Sequence, residues 1–302
     1  APRELLVALT RTTEDSALNF VAVRAGDDGI AGTEDDYRFT DNGDRDVALR
    51  PEFTAGVCRS FAQHRPATPW KVWLAGPNFR YERPQRGRYR QFDQVDVEVL
   101  GSVDPQVDVE VIALGWNFFA ALGLAQVELL VNSLGLPEER AAFNDALDQH
   151  FRAHLAELSA QSRETLERNP LRVLDSKRPE DASIIAAAPT IAEFYGDESR
   201  THFDGVRAGL DRLAIPYTIA PRLVRGLDYY VSTTFEFAGG TLDGAQNALG
   251  GGGRYDGLVA ALGGPPTPGI GFGLGVDRTL LACDDEGVFA AEPPALDVFV
   301  VD

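Results

Sequence analysis

Polar and apolar residues alternate from Gln94 to Val99, which predicts a β-strand over residues 92–100 with two unlike faces. Successive side chains of a strand point to opposite faces. One face carries three valines and an aspartate, and the other carries Phe92, Gln94, Asp96 and Glu98. An aromatic ring and three polar groups on one face favour the floor of a binding site. An ordinary half-exposed strand is the alternative.

Two sheet-forming regions flank a helix-rich stretch. In the first region, alternation and turn signals predict a hairpin over 37–50, strands over 70–79 and 127–131, a helix after Pro51, and a helix over 107–122. The stretch 136–222 is helix-rich, with helices predicted over 137–158, 163–167 and 181–194. In the second region, 225–237 is of β type, 250–253 is all glycine, and glycine alternates with apolar residues over 269–275 before a helix begins at Val276.

The composition is that of a globular chain. Of the 302 residues, 44% are hydrophobic and 25% charged, which excludes a disordered acidic tail or a Pro/Gly fibre and allows about two domains. No segment approaches the ~18 apolar residues of a membrane helix, and charges interrupt the N-terminus, so neither a membrane span nor a signal peptide is expected. Cys58 and Cys283 are far apart in sequence and suggest neither a zinc site nor a disulfide framework, which predicts a cytoplasmic protein. Methionine is absent even at position 1, so we expect a processed chain or a fragment of a longer one.

The net charge of −18 makes a concentration of positive charge informative. Residues 80–90 contain five arginines and a single acidic residue, Glu82. Guanidinium groups bind phosphate through paired hydrogen bonds, so this segment favours a polyphosphate or nucleic-acid partner. A surface loop paired with the chain's own carboxylates is the alternative.

Residues 1–36 are atypical. The acidic, glycine-containing stretch 25–36 suggests a calcium loop, but its spacing does not follow the helix–loop–helix pattern. A plain acidic hairpin loop is the simpler interpretation.

Five motifs, in a fixed order, carry a family resemblance: residues 49–57, 79–92, 225–230, 252–258 and 271–278. Together they resemble the catalytic core of the histidyl-tRNA synthetases, a class II aminoacyl-tRNA synthetase family. The resemblance extends from about residue 37 to 282 and includes 171–177. It implies an α+β fold, in which an antiparallel sheet is flanked by helices. The glycine run is then a device for close packing, because strand, loop and helix do not follow the order that a dinucleotide-binding motif requires.

The resemblance also implies a domain plan. The catalytic core would comprise 37–134 and 223–295, with 135–222 as a helical insertion module. Residues 1–36 lack a clear match to the elements that form the family's dimer. Residues 296–302 are expected to be the first strand of an anticodon-binding domain.

The implied activity is ATP-dependent activation of histidine to histidyl-adenylate, followed by transfer to the histidine tRNA. The implied ligands are histidine, ATP with Mg²⁺, and the tRNA acceptor end, and a homodimer is implied. No metal site of protein ligands is predicted. The alternative function is a non-catalytic, histidine-sensing paralogue, such as the regulatory subunit of ATP phosphoribosyltransferase. A sensor has no need of the three arginines that the family uses in catalysis, Arg80, Arg225 and Arg278.

The resemblance assigns roles to further residues. Glu52, Thr54 and Gln94 resemble the contacts to the α-amino group, and Glu98 and Tyr230 resemble the contacts to the imidazole. The substrate set is completed by Phe53, Tyr229 and Tyr255. For ATP, Phe92 would stack on the adenine, Arg88 and Arg90 would face the leaving phosphates, and Arg80 and Arg278 would contact the nucleotide. Arg83 and Gln85 would contact the tRNA.

Overall fold

The computed structural model describes residues 5–7, 21–23, 38–40, 46–81, 85–223, 229–242 and 247–289. The chain divides into two compact units. One contains the chain up to Phe53 together with Pro77–Phe92, and the other contains Thr54–Gly76 and the chain from Asp93 onward.

Two short antiparallel pairs come first in the chain. β1 (Leu5–Val7) pairs with β2 (Val21–Val23), and β3 (Arg38–Thr40) pairs with β4 (Asp46–Ala48). The second pair confirms the hairpin predicted over 37–50. The predicted turn at 41–44 and the acidic stretch 25–36 lie outside the described residues.

A seven-stranded sheet follows. Its strands are β5 (Trp70–Phe79), β6 (Gln91–Leu100), β7 (Val127–Ser133), β8 (Thr218–Ile219), β9 (Val231–Gly239), β10 (Ala248–Arg254) and β11 (Gly269–Gly275). They lie in the order β5-β6-β11-β10-β9-β7-β8. Pairing is antiparallel from β6 through β7, whereas β8 pairs parallel with β7. A mostly antiparallel sheet with helices confirms the α+β prediction.

Helices precede, connect and follow these strands. They are α1 (Thr54–His64), α2 (Pro105–Ala121), α3 (Pro137–Ala153), α4 (Ala160–Arg168), α5 (Pro179–Ala187), α6 (Asp197–Arg212), α7 (Leu258–Ala261) and α8 (Val276–Glu286). Two 3₁₀ helices span Pro170–Asp175 and Ile191–Phe194. None of the helices in the described ranges is long and apolar enough to cross a membrane.

Local signals set several helix ends. Asp104 caps α2, because its side chain accepts a hydrogen bond from the backbone N–H of Gln106 at 2.9 Å. The helix predicted over 181–194 is in fact α5 followed by a separate 3₁₀ helix. The break falls at Ala188, since Pro189 disfavours a helical conformation in the residue before it. The helix predicted over 137–158 ends earlier, at Ala153.

One hydrophobic core joins the sheet to the helix-rich stretch. Ile112 of α2, Phe151 of α3, Leu210 of α6 and Phe235 of β9 are fully buried members of this core. Helix α6, which the sequence did not resolve as a separate helix, packs closely on α2. The boundaries predicted for an insertion module stay a prediction, because these helices share their core with the sheet.

Candidate active site

The polar face of β6 lies opposite glycines of β11. Gln94, Asp96 and Glu98 pair in register with Gly275, Gly273 and Gly271. Paired residues of neighbouring strands project to the same face, so the glycines leave room beside the polar side chains. Asp96 is 3% exposed and Glu98 is 1% exposed. The polar face is therefore buried at Asp96 and Glu98 and partly exposed at Phe92 and Gln94, which favours the floor of a binding site over an ordinary half-exposed strand.

The valine face of β6 lies on the other side of the sheet. Val95, Val97 and Val99 line a cleft of about 390 Å³ together with α2 and the apolar residues of β11. Strict alternation thus separates an apolar layer from a polar layer within one strand.

Glu98 is held by two hydroxyl groups. Thr54 Oγ1 donates to Glu98 Oε1 at 2.6 Å, and the Tyr255 hydroxyl donates to Glu98 Oε2 at 2.5 Å. Thr54, at the first turn of α1, is buried, and so is Tyr255. Burial raises the pKa of Tyr255 well above its usual range, and the Glu98 carboxylate adds to the effect. Tyr255 therefore keeps its proton at neutral pH and remains a hydrogen-bond donor.

Close packing of the backbone makes space for this carboxylate. A Cβ atom on Gly271 would lie 1.8 Å from Glu98 Oε2, and one on Gly252 would lie 1.9 Å from the carbonyl oxygen of Gly271. No side chain fits at these distances. The prediction that the glycine run serves close approach is confirmed.

Tyrosine rings gather beside Glu98. The ring centroids of Tyr229 and Tyr255 are 6.1 Å apart, and those of Tyr229 and Tyr230 are 4.8 Å apart. Tyr230 and Tyr255 belong to the same buried cluster as Cys58 of α1. The structure thus brings together, in one unit, four predicted substrate residues around Glu98: Thr54, Tyr229, Tyr230 and Tyr255.

The start of α8 places Arg278 next to the sheet. Arg278 Nη1 donates to the carbonyl oxygen of Ala248 at 2.9 Å and is half-buried. Asp277 accepts a hydrogen bond from the backbone N–H of Asp93 at 3.3 Å, which ties α8 to β6. Gln94, the next residue of β6, pairs with Gly275 immediately before α8.

Three arginine–aromatic pairs characterise the other unit. The guanidinium carbon of Arg80 lies 4.9 Å from the Phe92 ring centroid, and Arg80 Nε donates to the carbonyl oxygen of Pro51 at 2.9 Å. Arg50 lies over the Phe53 ring at 4.4 Å, and Arg90 over the Tyr81 ring at 4.2 Å. Such contacts attract a guanidinium to the face of the ring and favour one position for it. Glu52, the remaining predicted substrate residue of this unit, is half-buried.

A tight turn over residues 85–88 follows Tyr81 in the arginine-rich segment. Gln85 and Arg88 exchange two backbone hydrogen bonds, at 3.1 Å and 2.9 Å, and Gly87 has a φ of 71°. Glycine adopts this left-handed conformation without the steric cost that a side chain brings. Two predicted site residues, Arg83 and Arg225, lie outside the described residues, as does the strand predicted over 296–302.

Sequence reasoning missed a buried polar cluster formed by Arg254, Asp108 and His202. Arg254 Nη2 lies 2.6 Å from Asp108 Oδ1, and Arg254 Nε donates to Asp108 Oδ2 at 3.0 Å. His202 Nε2 lies 2.8 Å from the same Oδ2 atom. The available signal was weak: Arg254 directly follows four glycines, and Asp108 alternates with valines at the start of α2.

Comparison with known proteins identifies relatives for this arrangement. The family model described as histidyl-tRNA synthetase matches residues 17–279 of the chain. The histidine–tRNA ligase of Streptococcus sanguinis (strain SK36) is 48% identical over 280 residues, covering 91% of this chain and 66% of that relative. The crystal structure of apo histidyl-tRNA synthetase from S. aureus aligns with a TM-score of 0.67 at 40% identity, covering 83% of this chain and 61% of that one.

A more distant structure shares the fold alone. The ATP phosphoribosyltransferase regulatory subunit/histidyl-tRNA synthetase from Bacillus halodurans C aligns with a TM-score of 0.58 at 23% identity, covering 82% of this chain and 67% of that one. The chain spans about two thirds of the length of its curated relatives, 66% in the Streptococcus case. Because the family model and the curated relatives cover most of its residues, this chain belongs to the histidyl-tRNA synthetase family.

Proposed function

We propose that this chain activates histidine with ATP to form histidyl-adenylate and transfers the histidyl group to the histidine tRNA. The observation that carries the proposal is the buried Glu98 carboxylate, which accepts hydrogen bonds from Thr54 and Tyr255 and lies beside the glycines of β11. These positions resemble the family's histidine pocket. The names of the closely related proteins support the same activity.

The pocket chemistry fits free histidine. Histidine offers an ammonium group and imidazole N–H donors, so its site needs buried acceptors. Glu98 Oε1 accepts the Thr54 hydroxyl proton and Oε2 accepts the Tyr255 hydroxyl proton, and because a carboxylate oxygen can accept more than one hydrogen bond, an imidazole N–H could also donate to it. An analogue without ring nitrogens would leave this carboxylate without that partner, which is a strong basis for selection.

Arginines would stabilise the charge that develops during activation. The histidine carboxylate attacks the α-phosphorus of ATP, and the bond to the leaving pyrophosphate breaks. Negative charge builds on the phosphoryl oxygens, and guanidinium groups already fixed in place stabilise it most efficiently. We assign this role to Arg80, Arg225 and Arg278. The contacts of Arg80 to Pro51 and Phe92, and of Arg278 to Ala248, support pre-orientation of two of them.

ATP would enter as its magnesium complex. No group of three or more His, Cys, Asp or Glu side chains within the described part of the chain could hold a metal ion. Mg²⁺ commonly binds through substrate phosphates with few protein ligands, so it fits here as part of the substrate. It neutralises phosphate charge when bound. Phe92 would stack on the adenine, and Arg88 and Arg90 would face the leaving phosphates.

The tRNA acceptor end would meet the turn of the arginine-rich segment. Arg83 and Gln85 are suited to base edges and phosphates.

The family resemblance also implies a homodimer, which sedimentation of the purified chain tests. The two free cysteines, Cys58 and Cys283, support a reducing, cytoplasmic location.

The test is histidine-dependent exchange of labelled pyrophosphate into ATP. We expect exchange that requires Mg²⁺ and histidine. Histidine binding without exchange would instead support the histidine-sensing paralogue. The variant Arg225→Ala should lower the exchange rate far more than it weakens histidine binding, because its contribution is greatest in the transition state. Equal losses in both quantities would contradict the role assigned to Arg225.

A further inference from the structure

Arg254 and Asp108 form an ion pair at the end of β10, away from solvent. Arg254 is 1% exposed and Asp108 is 0% exposed. Besides its two contacts to Asp108, Arg254 donates through Nη1 to the carbonyl oxygen of Ser102 at 3.0 Å and through Nη2 to that of Asp104 at 3.3 Å. The guanidinium thereby connects β10 to the first turn of α2 and the segment before it.

The residue after Arg254 is Tyr255, which donates to Glu98. The backbone around it is fixed on both sides. The N–H of Tyr255 donates to the carbonyl oxygen of Gly269 at 2.8 Å, and the N–H of Gly269 donates to Asp256 Oδ1 at 3.0 Å. The same Asp256 oxygen lies 3.4 Å from Arg254 Nη1. The Tyr255 ring lies directly over Gly269, where a Cβ atom would approach it to 2.2 Å.

His202 completes the cluster from a third element. It extends from α6 and contacts the Asp108 oxygen that also accepts from Arg254 Nε. Asp108 is therefore fixed between α6 and β10, and the guanidinium has one preferred orientation. A buried ion pair gains little net stability over apolar packing, because desolvation offsets the attraction. The geometry therefore points to a positional role.

We propose that Arg254 is a positioning residue for the histidine pocket: through Asp108 and Asp256 it fixes the end of β10, so that the Tyr255 hydroxyl meets Glu98. The inference rests on the proposed function, because it takes Glu98 as the contact to the histidine imidazole. Arg254 itself acts on the ligand only through Tyr255. Displacement of Tyr255 would change how well histidine is bound and leave the ATP site unaffected.

The test compares Arg254→Lys with Asp181→Asn. Lysine keeps the charge but cannot make the paired contacts of a guanidinium. Asp181 is as fully buried as Asp108, but it lies among the helices and accepts hydrogen bonds from Ser159, Ser162 and Ser176. Its variant therefore reports the effect of lost stability alone. Calorimetry on each purified full chain measures the affinities for histidine and for MgATP. Fluorine NMR of chains labelled with 3-fluorotyrosine follows Tyr255, whose signal is identified by its loss in Tyr255→Phe.

We expect Arg254→Lys to weaken histidine binding by about tenfold, by analogy with the loss of metal affinity when residues that orient metal ligands are replaced. MgATP affinity should stay within about twofold, and the Tyr255 signal should shift. Asp181→Asn should move neither the affinities nor the signal. Because Arg254→Lys could fail to fold, Asp256→Ala serves as the second variant. The Asp256 side chain is 39% exposed, and its loss should shift the Tyr255 signal and weaken histidine binding in the same direction.

The outcomes separate the two hypotheses. If Tyr255→Phe weakens histidine binding while Arg254→Lys and Asp256→Ala leave it unchanged, the positional role is wrong and the proposed function stands. Equal losses of histidine and MgATP affinity in Arg254→Lys would also contradict it, since that result indicates general disruption. If the unaltered chain does not bind histidine, the proposed function fails, and this inference fails with it.

Discussion

At the scale of single residues, the Glu98 carboxylate fits where it does because the residue opposite it on β11 is a glycine. Two hydroxyl donors hold its carboxylate, and Gly271 leaves the space that the carboxylate occupies. Alternation placed Glu98 on a polar strand face. It could not show that Glu98 is buried, or that Tyr255, 157 residues further along the chain, would donate to Glu98. Contacts between distant segments have no signature in local spacing.

The first prediction concerns Glu98 itself. Glu98→Gln should weaken histidine binding by about tenfold or more, because an amide presents one acceptor oxygen where two were used and leaves a buried donor unpaired, at a cost of ~1–3 kcal/mol. MgATP affinity should hardly change. Glu110→Gln is the matched control, since Glu110 is exposed and pairs with Lys71 at 2.6 Å. Calorimetry that finds equal losses for histidine and MgATP would remove Glu98 from the amino-acid pocket.

The second prediction concerns the glycine opposite Glu98. Gly271→Ala should lower the free energy of unfolding by ~1–3 kcal/mol and weaken histidine binding, because the added methyl group displaces the Glu98 carboxylate. Gly56→Ala, in α1, is the control: a Cβ there would meet nothing within 4 Å. Its stability should be unchanged or rise by ~0.5–1 kcal/mol, as expected for glycine replaced in a helix. Urea denaturation and histidine titration of both variants measure these effects, and equal behaviour of the two would contradict the close packing.

At the scale of secondary structure, the strands with a strong pattern were predictable. The sequence predicted the strand over 70–79, the strand from residue 92 to 100, and the helix starting at Val276, and the structure has all three. It merged α5 with a 3₁₀ helix, although Pro189 marked the break. The sequence pattern did not predict α6 as a separate helix, because its apolar face is interrupted by polar residues and is recognised only once α6 is seen to pack on α2. The class II type of fold followed from the family resemblance, since composition and periodicity alone do not distinguish it from other α+β folds.

One buried carboxylate connects three helical elements. Asp181 of α5 accepts hydrogen bonds from the Ser159 N–H and hydroxyl, at 2.8 and 2.9 Å, and from the Ser162 and Ser176 hydroxyls, both at 2.6 Å. Ser159 caps α4, and Ser176 ends the first 3₁₀ helix. Burial by itself would raise the pKa of Asp181, but these hydrogen bonds outweigh it and lower the pKa from 3.8 to about 2.

The third prediction follows from this shift. Because the folded-state pKa of Asp181 is depressed, its stabilisation is complete above the unfolded value of 3.8 and is lost as the pH falls towards 2. Asp181→Asn should cost about 2 kcal/mol of unfolding free energy at pH 6. The difference from the unaltered chain should shrink below about pH 4. Asp148→Asn, which removes a surface partner of Arg152, should cost less than ~0.5 kcal/mol. A difference for Asp181→Asn that is independent of pH, measured by urea denaturation, would contradict the assignment.

At the scale of the whole molecule, the charge distribution should distinguish the two proposed half-reactions. The chain has 46 acidic and 28 basic residues, and five of the basic ones lie within residues 80–90. Under the proposed function, histidine and MgATP are small ligands that would bind inside pockets, where salt screens little. A tRNA would approach an acidic chain and would depend on the arginines of residues 80–90.

The fourth prediction is therefore a contrast in salt dependence. As salt rises from about 50 to 200 mM, adenylate formation should stay nearly constant, whereas transfer to tRNA should fall steeply, because each protein–phosphate contact releases counterions on binding. Arg83→Ala should weaken transfer and lessen its salt dependence, since one such contact is lost. Arg207→Ala, which removes an arginine paired with Asp204 on α6, is the control and should change neither quantity. Both half-reactions can be measured on one preparation at each salt concentration. Transfer that is efficient and insensitive to salt would show that tRNA binding does not depend on the arginine-rich segment, and that a surface outside residues 80–90 provides it.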